Sequence, residues 1–246
     1  MLNCVKCRLS GDLLPQFNYI AAPNNFISGM KNILFCSLLI LILPACNDSE
    51  KKLLKLAERI HEKVLTVDTH CDTPMDMVRS DFDLGQRHAE GCVDFPRMAE
   101  GGLDAEFFAV FTSQGPRNDS AYKEVHSQAI EVLETIHRNV EKNSDVAGIS
   151  YTPEDAYKLK KAGRIAAFIG IENGYPVGKD ISGIREFYDL GARYITLSHT
   201  RNNDICDSST DSNGPEHNGL SSFGKEVVKE MNRLGMMIDV SHIYSG

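Results

Sequence analysis

Four apolar runs in this 246-residue chain end in a histidine or a carboxylate. Residues 64–67 lead into Asp68-Thr69-His70-Cys71-Asp72, and residues 165–171 lead into Glu172. Residues 194–197 lead into Ser198-His199, and residues 236–240 into Ser241-His242. Imidazole nitrogen and carboxylate oxygen are donors that a borderline divalent ion such as zinc takes in a catalytic centre. His70 and Asp72 are two apart, so on an extended chain they point the same way. A glutamate has two oxygens and can bridge two ions, and such a pair can clamp a water as hydroxide and polarise a carbonyl. The sequence has no Ser or Cys nucleophile elbow and no Gly-rich phosphate loop, so metal-activated hydrolysis is what these residue types suit. The plain alternative is structural. A strand-end histidine is commonly a hydrogen-bonder, and Asp68 either faces the site or pairs with a neighbouring amide. Glu172, after seven apolar residues, would be costly to bury without partners. His61, His88, His126, His137 and His217 fall in polar helices or loops and read as ordinary solvated or loop residues.

These side chains meet only if their strands lie side by side. The pattern after residue 50 supports that. A polar helix is expected at 50–62 and strands at 64–67 and 105–112. An amphipathic helix is expected at 121–142. Thr152-Pro153 caps and opens another, which stops near Gly163. Residues 165–171 (IAAFIGI) are almost wholly apolar, as in a strand covered on both faces. A helix over 182–190 closes on Gly191, and a strand follows at 194–197. Phe223, Val227, Met231 and Leu234 recur on one helix face, Gly235 ends that helix, and 236–240 is again a strand. Alternating strands and helices predict an α/β fold with a parallel sheet. The candidate ligands then stand at the C-terminal edge of the sheet, the active face of (β/α)8 TIM barrels and open α/β folds. About five strands are legible, whereas a closed barrel needs eight. The stretch from residue 60 onward is also shorter than the ~200 residues at the lower end for that fold. The expectation is an incomplete barrel, the N-terminal part of a longer product, with an open sheet edge that favours association.

The composition is 42% hydrophobic and 24% charged, ordinary for a globular protein. The net charge of −8 argues against nucleic-acid binding. Seven scattered cysteines do not form a disulfide framework, and Cys4-x-x-Cys7 is an isolated pair. The apolar run at 33–43 is too short to span a bilayer, which takes roughly 20 residues, and fits the core of a secretory signal. It ends in Leu43-Pro44-Ala45-Cys46 and then turns polar, which resembles a bacterial lipoprotein signal with Cys46 as the lipidated residue. Met30-Lys31-Asn32 reads as a natural signal start. The expected organisation is therefore an upstream leader (1–29), a signal peptide (30–46), a linker helix (47–62) and a partial barrel (63–246). The expected location is the bacterial cell envelope, membrane-anchored through lipid.

Motifs in order along the chain resemble the membrane dipeptidase (renal dipeptidase) family of metallopeptidases, over its N-terminal part. They are Val67-Asp68-Thr69-His70-Cys71-Asp72-Thr73-Pro74, Val93-Asp94-Phe95-Pro96-Arg97-Met98 with Gly101-Gly102, and Ile171-Glu172-Asn173-Gly174. Asp189-Leu190-Gly191-Ala192 runs into Arg193-Tyr194-Ile195-Thr196-Leu197-Ser198-His199. Asn218-Gly219-Leu220, Phe223-Gly224, Met231-Asn232-Arg233-Leu234-Gly235 and Ile238-Asp239-Val240-Ser241-His242 complete the match. The resemblance implies a TIM barrel with two zinc ions that hydrolyses dipeptides, some members accepting a C-terminal D-residue or opening β-lactam rings. It implies that His70 and Asp72 hold one zinc, that Glu172 bridges both and that His242 binds the second. His199 would contact substrate and steady the oxyanion, which makes Glu172 and His199 the catalytic pair. A dipeptide, a membrane reached through the lipid anchor and a second copy in a homodimer are the partners this reading allows. Asn173 stands where many members have Gly, a change that could alter substrate shape. The resemblance puts a further zinc His, a carboxylate-binding Arg and a proton-handling Asp beyond Gly246, so this chain alone is expected to be nearly inactive. Two other readings are a different binuclear-metal amide or ester hydrolase, and a non-catalytic envelope lipoprotein on the same scaffold.

Overall fold

The computed structural model describes residues 43–245, so the expected leader and most of the signal segment lie outside the described residues. The chain divides into Met1–Lys55 and Leu56–Gly246, and the latter holds the sheet. Helix α1 (Leu43–Lys63) includes Cys46 and starts earlier than the helix expected at 50–62. No helix among the described residues is long and apolar enough to cross a membrane.

The first strand, β1, is Val67–Cys71 rather than 64–67. The reason lies in the hydrogen bonds on either side. Val64 N still donates to Ile60 O (3.0 Å), which prolongs the helix. Thr66 is occupied by Asp104, whose Oδ2 accepts from its N and its Oγ1, both at 2.9 Å. Two short helices follow, α2 (Thr73–Arg79) and α3 (Phe95–Gly101). Asp94 caps α3 by accepting from Arg97 N, and Gly102 closes it at φ 71°, where a side chain would be strained. Strand β2 (Ala105–Phe111) leads to α4 (Asp119–Lys142), and β3 (Ala147–Ile149) to α5 (Pro153–Lys161). Thr152 and Asp155 form a reciprocal capping box on α5. Then come β4 (Ile165–Glu172), a 3-10 turn, α6 (Ser182–Asp189), β5 (Ala192–Thr196), α7 (Ser222–Leu234) and β6 (Met237–Asp239).

Every strand pair is parallel, and five strands run in the order β1-β2-β4-β5-β6. The sixth, β3, is an addition to the five expected; it pairs with the first three residues of β4, and β5 pairs with the later ones. The result is an open parallel half-barrel. Its outer face carries Phe108, Val110, Ile169, Ile171 and Ile195, packed with Leu133 and Ile136 of α4 and Val227 and Met231 of α7. Its concave face carries Ala105, Phe107, Ala166, Phe168 and Tyr194. There the rings of Phe107 and Phe168 stack at 4.6 Å, with Tyr194 tilted 5.6 Å from Phe107. All eight residues of β4 are buried, as expected for a strand covered on both sides.

Candidate metal centre

Glu172 ends β4 and is 5% exposed. Its Oε2 lies 3.5 Å from His70 Nε2, and that nitrogen lies 3.5 Å from Asp72 Oδ1. Its Oε1 lies 3.3 Å from His199 Nε2 and 3.5 Å from His242 Nε2. The donor atoms form two groups, His70–Asp72–Glu172 and Glu172–His199–His242, each within 4.8 Å and sharing the glutamate. All five expected site residues on the strand ends are thus brought together. His61, His88, His126, His137 and His217 are not in either group. Four of them contact backbone carbonyls: His61 at Gly102, His88 at Asp83, His126 at Pro176 and His137 at Leu190, at 2.8–3.0 Å. They are structural hydrogen-bonders, a firmer role than solvated surface residues.

The route by which His70 and Asp72 converge differs from expectation. They do not share one side of an extended strand. The register of β1 shifts between Asp68 and Cys71, and Asp72 has φ −81° and ψ 3° at the start of α2. A bulge and a turn bring the two donors together. Asp68 accepts from His70 N at 3.2 Å, so it pairs with the neighbouring amide.

His199 and His242 are held through their backbones by the loop after β5. Ser208 Oγ donates to His199 O, while Ser209 N (2.8 Å) and Oγ (3.1 Å) donate to His242 O. That loop is stitched by buried Asp207, which accepts from the amides of Glu216, His217 and Gly219 at 2.7–3.1 Å. The His199 ring packs edge-on against Phe111 (4.9 Å) and lies 4.3 Å from the His242 ring. Asn173, at φ 79°, turns its buried side chain into the protein: it donates to Thr112 O and accepts from Tyr175 N and Asn203 Nδ2. It therefore does not line the cleft, contrary to the expectation that it shapes substrate. The sequence analysis missed Asn203, Asp207, Ser208, Ser209 and Tyr194. The one signal for the first four was the polar stretch at 202–211 a few residues after a strand, and Tyr194 gave none.

A cleft of about 390 Å³ opens on the concave face, with Phe107, Tyr194 and Met237 among its walls and His70, Glu172 and His242 at its polar side. The carboxylates of Asp72, first, and Glu172 push the His70 pKa up to about 10, against the effect of burial. His70 in turn holds Asp72 below the usual carboxylate range. Burial, only partly offset by Glu172, lowers the pKa of His199. The donor set fits a divalent ion that takes nitrogen and oxygen: three imidazoles and two carboxylates converge, and both oxygens of Glu172 face nitrogen donors.

Comparison with known proteins agrees with this geometry. The family model described as Membrane dipeptidase (Peptidase family M19) matches residues 54–245. Dipeptidase verJ of Clonostachys rogersoniana is 36% identical over 156 residues, covering 61% of this chain and 40% of the relative. Dipeptidase tcpJ of Claviceps purpurea is 33% identical over 181 residues, covering 69% and 42%. The chain spans about two fifths of the length of the curated relatives it matches. Among solved structures, the "probable dipeptidase PvdM" of Pseudomonas aeruginosa superposes with a TM-score of 0.68 at 26% identity, over 79% of this chain and 51% of that one. A metallo peptidase of Rhodobacter sphaeroides, liganded with a phosphinate mimic of L-Ala-D-Ala, gives 0.64 at 19% identity over 74% and 60%, a likeness of fold. With the motifs, the half-barrel and the match over residues 54–245 in agreement, this chain belongs to the membrane dipeptidase family of metal-dependent peptidases.

Proposed function

We propose that the protein acts as a zinc-dependent dipeptidase that hydrolyses the peptide bond of a dipeptide at a two-ion centre. One observation carries this reading: the two oxygens of buried Glu172 face separate donor groups, Oε2 toward His70 and Oε1 toward His199 and His242. In this reading His70 and Asp72 hold one ion, Glu172 bridges, and His242 binds the other. When bound, zinc supplies a polarised carbonyl and a water acidic enough to act as hydroxide near neutral pH. His70 would have to give up its Nε2 proton to hold a cation, so binding there would release a proton. His199 has the burial that favours neutral imidazole, and in this reading its N–H donates to the oxyanion as the carbonyl becomes tetrahedral. Phe111 fixes the plane of that ring from its edge. Phe107, Tyr194 and Met237 give an apolar wall to one side of a cleft whose volume suits a small substrate. Lipid attachment at Cys46, which would anchor the protein to the cell envelope, is part of the same proposal.

The test uses the complete protein, with zinc content measured and dipeptides, lactams and phosphoesters offered as substrates. Expected are zinc-dependent turnover of dipeptides and joint loss of both ions in Glu172→Gln. A Glu172→Gln protein that keeps both ions refutes the bridge. Absence of zinc-dependent turnover refutes the enzyme reading in favour of a non-catalytic lipoprotein.

A further inference from the structure

We infer that Tyr194 is a positioning residue for the metal centre: its hydroxyl oxygen accepts a hydrogen bond from the Nδ1–H of His70 and so commits that ring to ligation through Nε2. The inference rests on the reading of His70 as a metal ligand. Tyr194 Oη and His70 Nδ1 are 3.1 Å apart. The opposite nitrogen of the same ring, Nε2, is the one that faces Asp72 and Glu172, each at 3.5 Å. A neutral imidazole has one protonated nitrogen and one lone pair. A partner that accepts a hydrogen bond from Nδ1–H therefore leaves the lone pair on the side of the carboxylates. Oxygen partners of this kind orient ligating histidines and raise their basicity.

The reach of the tyrosine is the second observation. Tyr194 is on β5 and His70 on β1, and both β2 and β4 lie between them in the sheet. A side chain can cross two strands on the concave face only if the residues beneath it are small. The register supplies such a row: Ala109 of β2 is paired with Gly170 of β4, and Gly170 with Tyr194 of β5. A Cβ built at Gly170 would lie 2.0 Å from Tyr194 Cζ and 2.1 Å from Cε1, inside the ring's own volume. Gly170 is therefore the seat of the Tyr194 ring. Phe107 abuts that ring from β2, its centroid 5.6 Å away. The whole row serves one contact, from the hydroxyl to Nδ1.

The test titrates the full chain with cobalt(II) and zinc, in wild type and in Tyr194→Phe, which keeps the ring and removes only the oxygen. Affinity at the His70 ion is expected to fall roughly 10- to 100-fold. The circular dichroism spectrum should be unchanged. In zinc-loaded wild type, 15N spectra of the His70 ring should show a protonated Nδ1 and a ligated Nε2. Gly170→Ala should weaken the same ion by unseating the ring, and adding it to Tyr194→Phe should weaken it no further. Wild-type binding with Tyr194→Phe unchanged overturns the inference and leaves the metal centre standing. A zinc-loaded ring with a bare or ligated Nδ1 also overturns it, even where the phenylalanine variant does not fold. A wild-type chain that takes up no metal overturns the ligand reading, and the inference with it.

Discussion

Asn173 follows the glutamate shared by both donor groups and has a left-handed backbone, φ 79°. Glycine, the residue many members have there by the sequence resemblance, would remove that strain. Asn173→Gly is nevertheless expected to destabilise this protein. The Asn173 side chain is 0% exposed and makes three hydrogen bonds: to Thr112 O (3.0 Å), from Tyr175 N (3.2 Å) and from Asn203 Nδ2 (3.1 Å). Asn203 would keep its bond to Leu197 O, but the Thr112 carbonyl and the Tyr175 amide would lose their side-chain partner. At about 1 kcal/mol per bond the loss is roughly 3 kcal/mol. Glycine recovers about 1 kcal/mol of backbone strain, since asparagine is already among the residues that tolerate this region. The net cost is ~2 kcal/mol, a fall in Tm of roughly 4–8 °C for a chain of this size. Asn173→Ala loses the same bonds without the backbone relief and should be worse, with a total cost of ~3–4 kcal/mol relative to wild type. Urea and thermal unfolding of the three proteins should rank them wild type, glycine variant, alanine variant. A glycine variant as stable as wild type would show that the amide cluster contributes nothing beyond tolerating the turn.

Three further outcomes are expected. His199→Ala should keep its zinc and lose most turnover, whereas His242→Ala should lose one ion; metal analysis separates them, and zinc loss in His199→Ala would make it a ligand. Glu106 is 0% exposed, neither carboxyl oxygen has a hydrogen-bond partner, and burial, then Asp68, raises its pKa to about 8. Below about pH 4 both folded and unfolded chains hold that proton. Between there and pH 8 only the folded chain does, so its contribution to stability declines as pH rises. Glu106→Gln should therefore match wild type in stability near pH 4 and exceed it by a few kcal/mol at pH 8, roughly 1.4 kcal/mol per pH unit of the window at most; equal stability at pH 8 would contradict this. Cys46→Ala should move the protein from the membrane fraction to the soluble one, and unchanged membrane partition would argue against lipid attachment there.

The parallel α/β core was legible because its signals are local. The apolar run of β4, the Thr152-Pro153 helix start and the closing Gly235 each state an element within a few residues. The site was half legible for the same reason, since ligand-type residues stand directly after those runs. What could not be read depends on partners far along the chain. The three-residue strand β3 contains Gly148 and is defined only by its pairing with β4. The start of β1 is fixed by Asp104, 38 residues from Thr66. Ser209 holds His242 from 33 positions away, and Tyr194 reaches His70 from 124. No periodicity records contacts of that kind. The same limit explains the error about Asn173: its type suggested a change in the cleft, while its backbone angle turns the side chain the other way.

The placement of the shared carboxylate follows from the sheet itself. β4 is hydrogen-bonded to β2 along seven residues, and to β3 and β5 along its other side. It is the strand with the most partners, and Glu172 is its last residue, with Thr112 N donating to the Glu172 carbonyl (3.3 Å). His70 comes from an outermost strand, and His242 follows the other outermost strand. Each of these needs a further restraint, which Tyr194 gives to one and Ser209 to the other. Under the two-ion proposal, precision matters most at the group that both ions would share, because an error there would misplace both. The fold puts that group on its most constrained strand and leaves the outer candidate donors to side-chain hydrogen bonds.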